Sequence, residues 1–233
     1  MKIESSEVLK MIERYRMLES ITTSILNCVT DSKYNLWYDK CSEVCGSKND
    51  EYSKIVTAID VIDDCNDAII EYLEIEEDST NKRLLLPLYG LLQVIYIQQD
   101  VIKCLVEIVI GEKIEVKNIP IRIVRNKVFG HPISKYNDVN KFHFIDKGTH
   151  DKWTFNFATQ TNMHKLKYDR KHNKKEAYIA RPVKLKEELD NHYSFLHTYL
   201  IQIEANIESF LDKETNKILG GKFENSVGKH TKN

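Results

Sequence analysis

LLLPLYGLLQVIYIQQDVIKCLVEIVI, residues 84–110, decides the fold class of this chain. It is the most apolar stretch present, yet Gln93, Gln98, Gln99, Asp100, Lys103 and Glu107 interrupt it. A membrane span tolerates so many polar and charged groups poorly, so the pattern predicts a buried helix with one polar face. The helix is expected to start near Arg83 and to stop at Gly111, the residue type that most readily takes the left-handed conformation past a helix end.

Working outward, the same 3.6-residue period recurs on both sides. Ser5 or Ser6 can cap a first helix whose Val8, Ile12, Tyr15, Leu18 and Ile25 form an apolar stripe ending before Asp31. After a loop holding Trp37 and Tyr38, Asn49 or Asp50 can cap a second helix to about Glu77, with Ile55, Ile59, Ile62, Ile69 and Tyr72 inward. Pro120 suits the first turn of a fourth helix, which carries Arg125. A last long helix is expected from about Val183 to Leu211, and residues 220–233 are expected to be a flexible tail. With 4 Pro and 8 Gly in 233 residues the chain lacks the punctuation of an all-β protein, and 42% hydrophobic residues suffice for one core. The expectation is a mainly α, up-down helical bundle forming a single domain over residues 1–219, with an inserted β-hairpin near residues 141–158.

The hairpin is read from a change of period. Phe142 and Phe144 alternate with His143, and Trp153, Phe155 and Phe157 alternate with Thr154 and Asn156, around a turn-rich segment at residues 146–151. Five aromatics on one face would suit base stacking, but an isolated hairpin needs a covered apolar face, which favours core packing.

Arg125-Asn126-Lys127-Val128-Phe129-Gly130-His131-Pro132 carries the chemistry. Arg is permanently charged and matches phosphate oxygens with a planar fork, while His exchanges a proton near neutral pH. Residues six apart on an ideal helix lie roughly 120° apart around the axis, so the pair converges only if the helix ends before His131. Gly130 and Pro132 both favour such an ending. The bland alternative is a His drawn to a helix C-terminus by the macrodipole and an Arg on a solvated face.

An Arg, a polar residue and then a His after five intervening residues, in an otherwise helical chain, resembles the HEPN superfamily of ribonucleases and nucleotide-binding proteins. The resemblance implies a homodimer with two such motifs facing one cleft. It also implies a metal-independent endoribonuclease without cofactors. In it, the ribose 2′-hydroxyl attacks the neighbouring phosphate, His131 acts as acid or base, and Arg125 stabilises the developing charge. Asn126 would orient the phosphate or brace the motif. Family members often act as toxins or antiphage effectors, sometimes with a protein antitoxin or regulator. The rival expectation is a non-catalytic helical module binding nucleotide, RNA or a protein partner.

Charge is segregated although the net charge is only -1. Between residues 55 and 80 every charge is acidic, and Asp60, Asp64, Asp67, Glu71, Glu74 and Asp78 share one helical stripe, which would be a solvated face, a basic partner's docking surface or a Mg²⁺ site. From residue 164 to 186 nine Lys and Arg stand against Asp169 and Glu176. This connector, with Lys171, Lys174 and Lys175, together with Lys127, is the expected RNA contact, unless it pairs with the acidic helix. Cys28, Cys41, Cys45, Cys65 and Cys104 contain no CxxC pair, so reduced thiols and no metal are expected. The seven other histidines, His192 among them, share no ligand spacing and are read as surface or strand-flank residues. MKIESSEVLK lacks the apolar core of a signal peptide, and a cytoplasmic protein with no membrane partner is expected.

Overall fold

The computed structural model describes residues 5–30, 50–75, 84–117, 119–130, 133–136, 139–146, 152–161 and 178–227. Four long helices carry the core: α1 (Ser5–Thr30), α2 (Asp50–Glu74), α3 (Leu85–Val109) and, after a short α4 (Pro120–Arg125), α5 (Leu185–Val227). α1 packs on α2, α2 on α3, α3 on α5 and α5 back on α1, so the long helices close a ring. The anticipated stripes line it: Tyr15, Leu18 and Ile25 of α1, Ile55, Ile59, Ile62 and Ile69 of α2, Leu196, Leu200, Ile203 and Ile207 of α5. The protein is mainly α-helical, as the periodicity predicts. α5 runs to Val227, past both the end of its apolar stripe and the residues read as a tail.

The residues 84–110 run is a core helix. Leu88, Leu92, Ile95, Ile102, Leu105 and Val106 are buried, and so are Gln98 and Gln99. By length and composition it is the one described helix apolar enough to cross a membrane, but it is packed on α2, α4 and α5. It ends as expected: Gly111 takes φ 82°, and its N–H donates to the Val106 carbonyl. Ile119, extended, precedes Pro120 at the first position of α4.

The aromatic segment forms more than a hairpin. β1 (Ile133–Tyr136), β2 (Val139–Asp146), β3 (Thr154–Thr161) and β4 (Tyr178–Lys184) make an antiparallel meander in chain order. β2 and β3 are the expected pair. Pro182 is tolerated in β4 because an edge strand can lack an N–H on its open side. The register corrects the expectation of five aromatics on one face. Ile145, not Phe144, pairs with Phe157, and Phe144 pairs with Ala158. Because side chains alternate, Trp153, Phe155 and Phe157 share a face with Ile145. Ile145, Trp153, Phe155 and Phe157 are all buried, and the first three belong to the same core as the helices.

What fastens the sheet to the bundle is Lys152. Its ammonium, buried, donates to the carbonyls of Leu73 and Ile75 at the C-terminal end of α2, at 2.6 and 2.5 Å. A cation suits the negative end of the helix dipole and satisfies carbonyls with no helical partner. The Trp153 ring lies 5.0 Å from the ammonium, and the Tyr72 hydroxyl donates to the Lys152 carbonyl. The Leu185 N–H donates to the Trp153 carbonyl, so the same β3 entry also holds the start of α5. Lys152→Met keeps the aliphatic stem and deletes the donors. It should lower the unfolding free energy by about 2–3 kcal/mol, as for charged hydrogen bonds with buried acceptors. The check is the urea midpoint at constant slope; a variant as stable as the parent would show that the cap contributes nothing.

Candidate functional site

α4 is only 6 residues long, too short to be stable alone, so its neighbours must hold it. Arg122 and Arg125, one turn apart, both reach α3. The Arg122 guanidinium donates to Asp100 at 2.6 Å and lies 3.9 Å from the Tyr96 ring centroid. The Arg125 guanidinium lies 3.8 Å from the same centroid. Its Nε and one terminal nitrogen donate to Gln93 Oε1 at 3.1 and 2.7 Å, and the other terminal nitrogen donates to Asn126 Oδ1 at 3.1 Å. Thus Tyr96 stacks with two cations, and Gln93, one turn away on α3, sets the Arg125 fork from its edge.

These contacts explain the polar face of α3. Gln93 and Asp100 are not merely solvated interruptions of an apolar run. They orient the helix that carries the motif. Gln93, Asn126 and Tyr96 are among the contacts of Arg125, and Arg122 meets a carboxylate. Arg125 and Asn126, neighbours in the chain, are in side-chain contact.

After Arg125 the helix widens into a π turn, Asn126–Gly130, with hydrogen bonds spanning five residues. Gly130 is the last residue of that turn. His131 lies outside the described residues, as do Lys171, Lys174 and Lys175. Lys127, in the π turn, is exposed, its ammonium 5.6 Å from the Phe157 ring.

The acidic stripe of α2 is a solvated face. Asp60, Asp64, Asp67, Glu71 and Glu74 are exposed, and Asp78 lies outside the described residues. Among the described residues no group of three or more His, Cys, Asp or Glu side chains is placed to hold a metal ion. Cys65 and Cys104 are free thiols, and burial pushes the Cys65 thiol up to about 11.

Sequence reasoning missed His192. It is not a surface residue but is 1% exposed in the core, where its Nε2 meets Gln98 Oε1 at 2.8 Å. The Gln98 amide donates in turn to the Ile62 carbonyl and to Asn66 Oδ1. Since an amide oxygen only accepts, Nε2 must carry the proton. A signal existed: position 192 continues the Leu185, Leu189, Leu196 stripe of α5.

No protein-family model, curated protein or solved structure matches the chain.

Two groups make stability depend on pH in opposite senses. Burial holds the His192 imidazole down to about 3, against 6.5 when free. Its depressed value means a contribution present above 6.5 and lost as pH falls toward 3. Burial raises the Asp63 carboxyl from 3.8 to about 6, although a 2.6 Å hydrogen bond from Thr22 opposes the shift. That contribution is present below 3.8 and lost as pH rises through 6. His192→Gln should flatten the acid loss, and Asp63→Asn should remove the opposing trend. Urea unfolding across this range is the check; an acid limb of unchanged steepness in His192→Gln would reject the His192 assignment.

Proposed function

We propose that this chain is a metal-independent endoribonuclease of HEPN type, with Arg125 and His131 as its reacting pair. The observation that supports it best is the setting of Arg125: its guanidinium is stacked on Tyr96 and held at its edge by Gln93. A fork fixed before substrate arrives loses less freedom when charge builds on a phosphate. The helical scaffold and the π turn that closes at Gly130 are compatible with the motif.

In this reading the ribose 2′-hydroxyl attacks the adjacent phosphorus and the 5′-oxygen of the next nucleotide leaves. His131 takes or gives the proton, and Arg125 neutralises the charge on the non-bridging oxygens. Asn126 braces the fork, a role that fits the bond from Arg125 to its Oδ1. Lys127 and the basic connector hold the backbone, and a second copy of the chain supplies the facing motif. Activity as a toxin or antiphage effector in the cytoplasm, checked by a protein antitoxin or regulator, is the biological setting proposed with it.

A second reading has its own support. Arg125 bonds to both Gln93 and Asn126 and stacks on Tyr96, contacts that would equally pin α4 to α3 in a non-catalytic module binding nucleotide, RNA or protein. The two readings separate on chemistry. Single-stranded RNA should be cleaved in EDTA to leave a 2′,3′-cyclic phosphate, because the nucleophile is internal and no metal-activated water is needed. His131→Ala should slow cleavage by about 10²-fold or more while leaving stability within about 1 kcal/mol. Cleavage that requires Mg²⁺, or that survives His131→Ala intact, would reject the mechanism.

The connector has a test of its own. Lys171, Lys174 and Lys175 replaced together by Gln should weaken RNA binding and flatten its salt dependence by up to about two units of slope, roughly 0.7 per phosphate. The cleavage product should not change, since backbone contacts position without doing chemistry. Unaltered affinity and slope would remove the connector from the RNA interface.

A further inference from the structure

On the side of α4 away from α3, Ile123, Val124 and Lys127 face Phe157 of β3 and the β4–α5 junction across a cleft of about 370 Å³. That is the size of a small-molecule site. Its lining mixes apolar residues, Phe157 and Val183 among them, with charged side chains of both signs. Two exposed cations, Lys127 and Arg181, stand at the rim, while Lys184 is paired with Glu187 at 2.7 Å.

Glu188 also lines the cleft, where the Ile121 N–H donates a hydrogen bond to its carboxylate. Its Oε2 is buried with no hydrogen-bond partner. A buried acceptor left unmade is costly, and such groups call for an explanation in a ligand or ordered water. Desolvation lifts this carboxyl above the usual range. An aromatic floor, an unsatisfied acceptor within and cations at the mouth match one chemistry: a flat ring that bears N–H donors and carries an anion.

We propose that the cleft between α4 and the β4–α5 junction binds a purine nucleotide, with the base on Phe157, a base N–H donating to Glu188 Oε2 and the phosphate meeting Lys127 and Arg181. The base takes the place of the Lys127 ammonium over the ring, and the ammonium turns to the phosphate. Glu188 also touches Ile121 in the first turn of α4, so occupancy is sensed by the helix that carries Arg125. A free 5′-monophosphate and a purine within single-stranded RNA present the same groups. The site shares Lys127 with the RNA contact proposed above but uses neither Arg125 nor His131, so it does not depend on the ribonuclease chemistry.

Calorimetric titration of the full chain with AMP and GMP, and separately with short oligo(A), tests it. Saturable binding is expected for at least one of them. Glu188→Gln should weaken it about tenfold or more without changing thermal unfolding, because the amide still accepts from Ile121 but sets a donor against the base. Lys127→Gln with Arg181→Gln should weaken the monophosphate but not adenosine or guanosine. Binding of oligo(A) alone, with the same response to Glu188→Gln, assigns the site to an RNA purine; binding of the monophosphate assigns it to the free nucleotide. No saturable binding of any of these, or binding indifferent to both sets of variants, overturns the proposal. His131→Ala should leave the AMP and GMP titrations unchanged, and a parent chain that binds nucleotide but cleaves no RNA counts against the ribonuclease reading alone.

Discussion

A helix that is buried on three sides and yet carries polar side chains dictates how this protein assembles. α3 must pair each buried amide it brings into the core, because an unmade hydrogen bond there costs more than a made one returns. Gln98 meets His192 of α5 and Asn66 and the Ile62 carbonyl of α2. Gln93, Tyr96 and Asp100 meet the two arginines of α4. One helix therefore selects three neighbours by polar complementarity, and apolar packing fills the space between them. Gln99 is the exception: it is buried and neither of its amide atoms has a hydrogen-bond partner.

That division of labour decides what could be read from the sequence. Periodicity reports burial, and it gave the helix ends at Gly111 and Pro120 and the stripes of α1, α2 and α5. It reports nothing about which polar residue meets which. Gln93, Gln98 and Asp100 look alike as interruptions of an apolar run, although one orients Arg125, one anchors His192 and one pairs with Arg122. His192 was misread for the same reason, since a histidine is polar by type whereas its place in the stripe was apolar.

The sheet shows a second limit. Alternation placed β2 and β3, but register depends on pairing. A shift of one residue exchanges Phe144 for Ile145 opposite Phe157 and so changes which aromatics reach the core. β1 and β4 went unread because Ile133–Tyr136 is short and Tyr178–Lys184 carries Arg181, Pro182 and Lys184. Only edge strands tolerate such residues, and edge status is a property of the sheet. Lys152 was equally hidden, as a lysine in a turn-rich segment reads as solvated until α2 is seen to end beside it.

Of the residues singled out for chemistry, Arg125 ends α4 and reaches α3, whereas Lys127 in the π turn that follows reaches Phe157 of the sheet, so a loss of activity can be chemical or positional. α4 has too few residues to hold its own shape, so its position is set by the Tyr96 stack and Gln93 on one side and by the Glu188 bond to Ile121 on the other. Arg122, tied to Asp100 and the same tyrosine, fixes the angle at which Arg125 is presented. Substituting Arg122 thus moves Arg125 without touching it. A defect that follows from such a substitution is positional, and it differs from loss of the Arg125 fork in that restoring the Tyr96 stack, not the charge, is what repairs it.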